Sequence, residues 1–264
     1  MAGVGNLVRN REGNTVMTTS FDSADPADAA ASLREMVDAA TDRLLRSAER
    51  VSNQQAGQPS LLPGWSRGHL LTHVARNADS LRNLLVWART GVETPQYSHP
   101  GERAEGIAAG AGRPSAELLA DLVSSAAALD AEAARLPDAA WAAHVRKMNG
   151  DAHPAWYILW RRLTEVEFHH IDLDMGYTAA DWPLPFATYG LAEVAAEFTG
   201  PHSPAVLLQS SDAPVVVQIG PAGERPVCTV TGPLRPLLAW LAGRSSGAGL
   251  TAEPPGPLPT LPAW

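Results

Sequence analysis

Four long segments with helical periodicity constrain the fold of this chain more than any other feature. They cover residues 25–51, 66–91, 114–135 and 154–174. In the first segment, apolar residues recur at three- and four-residue spacing and form one stripe: Leu33, Met36, Val37, Ala40, Leu44 and Leu45. Asp25 before Pro26 suits a helix start, Ser66 suits an N-cap, and Gly91 suits a helix end. The pattern predicts an antiparallel four-helix bundle.

The sequence changes character after this region. The stretch "GYTAADWPLP" (176–185) has the composition of a linker, and a helical segment starting at Phe186 follows it. Three short runs typical of β-strands come next, "AVLLQS", "PVVVQIG" and "PVCTVTG", then the helical segment "LRPLLAWLAGR" and a Pro-rich tail. We therefore predict a mainly α fold, with a four-helix bundle at 21–178 and a small α+β domain at 184–264.

Two other regions are harder to assign. Residues 1–20 have no apolar run of signal-peptide length, and a second methionine occurs at Met17, so we expect a disordered extension or an over-called start, with no role in the fold. Residues 92–113 are rich in Pro, Gly and charge and are long for a connection. This region is either a functional loop or partly helical.

Composition excludes several classes of function. The net charge of −8 argues against a nucleic-acid binder, because such proteins need a clustered excess of Lys and Arg. Apolar runs are far shorter than the roughly 20 residues of a membrane span. Cys228 is the one cysteine, so neither an internal disulfide nor a cysteine-based zinc cluster can form. A reducing cytoplasm is the simplest compartment.

The stretch "TEVEFHHIDLD" (164–174) carries candidate metal ligands. Glu165 and His169 are four residues apart and share one helix face; Glu167 and His170 form a competing pair. A third ligand must come from another helix, and His73, among apolar residues of "LLTHVAR", is the candidate. His69, four residues earlier, lies in the first turn. Three N/O ligands and one open position are typical of catalytic zinc.

Structural explanations compete with the metal site. A Glu and a His four residues apart on a helix are usually an exposed pair, and a His in an apolar stripe is more often a hydrogen-bonded core residue. We expect His170, Asp172 and Asp174 at the surface or behind the ligands. Asp172 could orient the His169 imidazole, but the sequence favours the opposite.

The segment "SLLPGWSRGHLLTHVARNADSLRNLLVWARTGVETPQY", followed by "LTEVEFHHIDLD", resembles the mycothiol-dependent maleylpyruvate isomerases of the DinB-like metal-binding superfamily. The similarity extends over roughly residues 25–264 and includes "AGRSSGAGL" near the end. The resemblance implies a DinB-like bundle that holds a divalent metal, usually zinc, through His73, Glu165 and His169. It also implies an activity-associated arginine at Arg103, in "GERAEGI", and another at Arg244, in "LAGRSSG".

The resemblance further implies isomerisation of maleylpyruvate to fumarylpyruvate with mycothiol as the thiol cofactor. A thiolate that adds to the cis alkene would leave a single bond free to rotate. The partners would be a small dianionic substrate and a low-molecular-weight thiol, with Arg103 and Arg244 binding carboxylates. Asn77, one turn past His73, could hydrogen-bond in the pocket. The alternatives are a mycothiol S-transferase that forms a stable adduct, and a metal-binding module without turnover.

Overall fold

The structure of the chain is a computed structural model that describes residues 7–9, 15–17, 25–148 and 150–264. Contacts divide the chain into two compact units. Residues 24–177 form one unit, and residues 178–264 form the other together with the described part of 1–23. The division falls within the linker that the sequence predicts at 176–185.

The first unit is helical. Its α-helices are α1 (Pro26–Ala48), α2 (Asn53–Ala56), α3 (Arg67–Thr90), α4 (Glu102–Gly110), α5 (Ser115–Ala133) and α6 (Trp156–Asp172). Helix α1 packs against α6 and α5, and α3 also packs against both, so the four long helices form a closed ring of contacts. Their apolar stripes meet inside this ring, where Leu33, Leu44 and Leu84 are fully buried.

The predicted helix ends are confirmed. The Asp25 side chain accepts a hydrogen bond from the backbone N–H of Ala27 at the start of α1. Ser66 caps α3 in a reciprocal arrangement with His69: the Ser66 hydroxyl accepts from the His69 backbone, and the His69 ring accepts from the Ser66 backbone. Gly91 ends α3 in the left-handed conformation, with φ of 72°.

Helix α4 lies within residues 92–113, so the partly helical alternative for that region holds. Its C-terminal end packs closely on α3. A Cβ at Gly68 of α3 would lie 2.2 Å from the carbonyl oxygen of Ala111. Glycine at this position therefore allows the approach that places α4 beside the N-terminal half of α3.

A β-hairpin precedes α6. Strands β3 (His144–Arg146) and β4 (Ala152–Pro154) pair antiparallel, with Val145 opposite His153. The sequence does not predict this hairpin, because strands of three residues are too short to show an alternating pattern.

The second unit is α+β. It contains α7 (Leu184–Glu197), α8 (Leu234–Leu241) and the strands β5 (Val206–Ser210), β6 (Val216–Ile219), β7 (Cys228–Gly232) and β8 (Thr251–Glu253). The sheet order is β6-β5-β7-β8, with β5 and β7 parallel and the other neighbours antiparallel. The three predicted strands are present, and β8 is an additional strand. A mainly α fold with a small C-terminal α+β part is thus confirmed.

Two short strands, β1 (Leu7–Arg9) and β2 (Thr15–Met17), pair antiparallel within the predicted extension of residues 1–20. At these six residues the structure differs from the prediction of disorder. The remainder of that prediction lies outside the described residues. Among the residues that the structure describes, no helix has the length and apolar character needed to cross a bilayer.

Candidate metal centre

Three potential metal ligands converge where α3 faces α6. Nε2 of His73 lies 3.1 Å from Oε2 of Glu165 and 3.1 Å from Nε2 of His169. The third edge, from His169 Nε2 to Glu165 Oε2, measures 3.3 Å. The structure therefore brings together all three residues that the sequence proposes as ligands. Within the described part of the chain, no other group of three His, Cys, Asp or Glu side chains meets in this way.

Packing of the bundle positions these side chains. His73 is 4% exposed and lies in α3 among Leu70, Leu71 and Val74, all of which are buried. The His73 ring packs edge-on against the Trp65 ring, with 5.3 Å between centroids. Glu165 and His169 are one turn apart on α6, so their side chains leave the same face of the helix. Because His73 belongs to the buried apolar stripe of α3, its ring lies against the face of α6 that bears Glu165 and His169.

The donor set fits a tetrahedral divalent ion. For ligand bonds of about 2.0–2.1 Å, neighbouring donor atoms of a tetrahedral site lie about 3.3–3.4 Å apart. The three observed edges of 3.1–3.3 Å are close to that value. Two imidazoles and one carboxylate make three protein ligands, and that number is typical of catalytic sites, which keep a fourth position open.

Asp172 holds the His169 ring in place. Its Oδ2 lies 2.9 Å from His169 Nδ1, and Asp172 is only 2% exposed. An ionised carboxylate can only accept, so Nδ1 donates to Asp172, and Nε2 is the ring nitrogen that faces His73 and Glu165 and would bind a metal once it is deprotonated. The expectation that Asp172 does not orient an imidazole is therefore wrong. The packing of α6 against α1 and α3 buries this end of the helix, which the local sequence does not reveal.

Electrostatics around the three ligands favour an ionised carboxylate. Burial alone raises the pKa of Glu165, but hydrogen bonds from His169 and His73 outweigh it and hold the pKa well below its ordinary value. Burial lowers the pKa of His73, so that imidazole favours its neutral, metal-binding form. Burial alone would also lower the pKa of His169, but the hydrogen bonds to Asp172 and Glu165 outweigh burial and raise this pKa above its ordinary value.

The competing pair has other partners. Glu167 accepts hydrogen bonds from Arg43 at 2.6 Å and from the Tyr177 hydroxyl at 2.5 Å. Nε2 of His170 lies 2.7 Å from the Ser47 hydroxyl, and the His170 ring stacks on Tyr177. His170 is 2% exposed, which excludes the surface alternative of the two positions expected for it, at the surface or behind the ligands. Both residues join α6 to α1 on the side of α6 away from the ligands.

A cavity of about 250 Å³ opens beside the three ligands. His73 and Glu165 form part of its wall, and the other lining residues are Asn77, Leu81, Gln96, Tyr97, Arg103, Lys147, Met148 and Arg161. Burial raises the pKa of Tyr97, so its hydroxyl stays protonated and can donate a hydrogen bond. The cavity therefore offers cations, amides and one phenol next to the ligand set.

Arg103 and Asn77, both proposed from the sequence, lie in this cavity wall. Nη2 of Arg103 is 3.5 Å from His73 Nδ1, and its guanidinium lies 6.0 Å from the centre of the Trp65 ring. Oδ1 of Asn77 accepts a hydrogen bond of 3.0 Å from Arg162. Because Oδ1 is engaged with Arg162, the NH₂ group of Asn77 points away from Arg162. This NH₂ group can therefore donate a hydrogen bond to a ligand in the cavity.

Arg162 is buried by helix packing. It is 1% exposed and also donates to the carbonyl oxygen of Val74 at 2.8 Å. Burial lowers its pKa to about 10, so the side chain is still charged at neutral pH. Beside it, Nη2 of Arg161 pairs with Glu165 Oε1 at 3.8 Å.

Arg244 belongs to the C-terminal unit. Nη1 donates to the carbonyl oxygen of Ala242 at 2.7 Å, and the guanidinium lies 5.4 Å from the centre of the Trp264 ring. Both contacts are within the same unit.

Comparison with known proteins agrees with this geometry. A family model described as the mycothiol maleylpyruvate isomerase N-terminal domain matches residues 37–174, and one described as the MDMPI C-terminal domain matches residues 181–263. The chain belongs to the mycothiol maleylpyruvate isomerase family. The family resemblance predicted from the sequence is confirmed.

Two solved structures resemble the chain over most of its length. A crystal structure of the mycothiol-dependent maleylpyruvate isomerase superposes with a TM-score of 0.84 at 31% identity, covering 94% of this chain and 100% of that one. A histidine-to-alanine mutant of the mycothiol-dependent maleylpyruvate isomerase gives 0.83 at 30% identity over the same shares. Among curated proteins, no sequence match is found.

The sequence analysis assigns no role to Lys147 or Tyr97, which both line the metal-centre cavity. Tyr97 is the last residue of the segment that resembles the family, whereas Lys147 lies outside it. One signal in the sequence could have drawn attention to Lys147: it is the one lysine in a chain whose other Lys or Arg residues are all arginine.

Proposed function

We propose that this chain is a mycothiol-dependent maleylpyruvate isomerase that uses a divalent metal held by His73, Glu165 and His169. One observation carries the proposal. In a chain of this family, two imidazoles and a carboxylate lie 3.1–3.3 Å apart at the wall of a cavity that also carries Arg103. Such a site can serve a reaction between an anionic substrate and a thiol.

The reaction needs a temporary single bond. A thiolate adds to one alkene carbon of maleylpyruvate, a carbon–sulfur bond forms, and the π electrons move onto the conjugated carbonyl oxygen as an enolate. Rotation follows, the enolate collapses, and the carbon–sulfur bond breaks to release the thiolate and the trans alkene. The thiol is recovered, and no oxidant or reductant is consumed.

A bound divalent metal would either lower the pKa of the thiol or polarise a substrate oxygen as a Lewis acid. Two imidazoles and a carboxylate suit zinc and also nickel, iron or manganese, and we propose zinc on the family resemblance. The chain's own thiol does not suit the role of nucleophile. Cys228 is half-buried at the start of β7, and burial raises its pKa.

The cavity residues would bind and orient the substrate. Arg103 lies next to His73, where its guanidinium can form two parallel hydrogen bonds with a carboxylate. The Asn77 NH₂ group and the Tyr97 hydroxyl can donate to an oxygen that becomes negative during thiolate addition. We also propose that Arg244 contributes to activity. A reducing cytoplasm suits an enzyme that uses a thiol cofactor, and we propose that compartment for this chain.

One assay tests the proposal. The zinc-loaded protein is mixed with maleylpyruvate, with and without mycothiol, and the ultraviolet absorbance is followed. We expect conversion to fumarylpyruvate only when mycothiol is present, with the thiol recovered at the end. Conversion that needs no thiol would reject the mechanism. A stable thiol adduct would instead identify an S-transferase.

A further inference from the structure

Lys147 is placed over the cavity by the β-hairpin. It follows β3 directly, and its backbone N–H donates to the Asp151 carbonyl oxygen at 3.0 Å, which closes the hairpin. The next residue, Met148, donates its backbone N–H to the Gln96 side chain at 2.7 Å and so fixes the hairpin to the segment after α3. The position of Lys147 at the cavity is therefore fixed by backbone hydrogen bonds of Lys147 itself and of Met148.

One face of α6 connects Lys147 to the metal ligands. Tyr157, Arg161, Glu165 and His169 recur every four residues and form a row along the helix. Each step along this row is about 6 Å. The Lys147 ammonium lies 5.8 Å from the centre of the Tyr157 ring, and Arg161 is one turn further toward Glu165. Lys147 thus lies at the end of the row remote from His169, and Arg161 stands between that end and Glu165.

Cations therefore occupy two separate places in one cavity. Arg103 contacts His73 at the metal-ligand end, whereas Lys147 stands at the Tyr157 end. Arg161 lies between Tyr157 and Glu165, with its Nη2 3.8 Å from Glu165 Oε1. Glu165 is the one acidic side chain among the described lining residues, and it belongs to the ligand set. This separation suits a ligand with a negative charge at each end.

We propose that Lys147 binds the substrate carboxylate that lies farther from the metal ligands and thereby sets a preference for dianions. The identity of the dianion rests on the function proposed above. Lysine suits this place because an ammonium on a flexible stem can follow a carboxylate that shifts when the alkene changes from cis to trans. A guanidinium forms its two parallel bonds in a more fixed geometry.

Steady-state kinetics of Lys147→Met test the proposal. Loss of a charged hydrogen bond should raise KM for maleylpyruvate about tenfold or more with a smaller change in kcat. KM for the analogue with a methyl group in place of the remote carboxylate should change little. Lys147→Arg should restore most of the affinity, and both Lys147 variants should retain their zinc.

Arg146→Met is the matched control. Arg146 is the neighbouring residue and carries the same charge, but its guanidinium lies 5.8 Å from the centre of the Trp87 ring, in an adjoining groove. It does not line the metal-centre cavity. If Lys147→Met changes kcat/KM for maleylpyruvate no more than Arg146→Met does, the carboxylate site is rejected while the isomerase activity stands.

A labelling experiment separates this inference from the proposed function. Because Lys147 is the one lysine, an amine-acylating reagent can modify only its side chain and the N-terminal amine, which mass spectrometry distinguishes. We expect a saturated dicarboxylate of substrate chain length to protect Lys147 but not the N-terminal amine, and the matching monocarboxylate to protect it less. Protection without isomerase activity would retain the dicarboxylate site and reject the function. Equal labelling with and without dicarboxylate would reject the site.

Discussion

Nδ1 of His169 lies 2.9 Å from Oδ2 of Asp172, one turn further along α6. The buried carboxylate fixes the orientation of the imidazole and accepts the hydrogen of Nδ1. The Nε2 atom consequently faces His73 and Glu165 before any ion binds.

Asp172→Asn should weaken zinc binding about 10- to 100-fold, because the amide cannot reproduce the charged hydrogen bond to His169. A chelator competition measures the change. Asp174→Asn is the control: it removes the same charge two residues away, where the carboxylate pairs with Arg67 at 2.9 Å. Equal affinities in the two variants would contradict a role for Asp172 in the metal centre.

Zinc affinity should fall as the pH is lowered, and the fall should begin above the ordinary imidazole pKa of about 6.5. The reason is that a protonated imidazole cannot bind metal, and in the ion-free protein the hydrogen bonds to Asp172 and Glu165 outweigh burial and raise the pKa of His169. Zinc titrations between about pH 5 and 8 measure this dependence. In Asp172→Asn the fall should move to lower pH, since one cause of the raised pKa is lost. If zinc affinity falls at the same pH in Asp172→Asn as in the unchanged protein, a group other than His169 causes the pH dependence.

Arg244→Ala should lower turnover of maleylpyruvate while leaving one zinc per chain. In the structure Arg244 contacts Ala242 and Trp264 within the C-terminal unit, whereas the three proposed ligands all belong to the helical unit, so the substitution removes none of the ligands. Metal analysis and kcat/KM are measured on the same sample. An unchanged kcat/KM would show that Arg244 does not contribute to activity.

Gly68→Ala should destabilise the helical unit by about 1–3 kcal/mol, because the added Cβ would lie 2.2 Å from the Ala111 carbonyl oxygen. The relief of this clash should also displace α4, which carries Arg103, and so lower kcat/KM. Thermal unfolding and kinetics check both effects. Gly112→Ala is the matched control, since a Cβ at that position would meet none of the described residues within 4 Å apart from its chain neighbours. A similar Tm in both variants would show that the close approach of α4 to α3 does not matter for stability.

The sequence supports much of the ligand set because its signals are local. Four-residue spacing places Glu165 and His169 on one face of α6, and an apolar stripe carries His73 inward. Residues whose roles depend on packing between elements are missed or misjudged at the level of sequence. Asp172 and Arg162 are buried by helix packing that no single segment encodes, and Lys147 reaches the cavity through a hairpin with strands too short to show a period.

Anomalous diffraction at the zinc edge from crystals of the zinc-loaded protein tests the central claim most directly. We predict one ion per chain, with His73 Nε2, Glu165 Oε2 and His169 Nε2 at about 2.0–2.2 Å and with no fourth protein ligand. The anomalous peak should be absent from His73→Ala and Glu165→Ala. A peak elsewhere, a fourth side chain on the ion, or full occupancy in both variants would contradict the account.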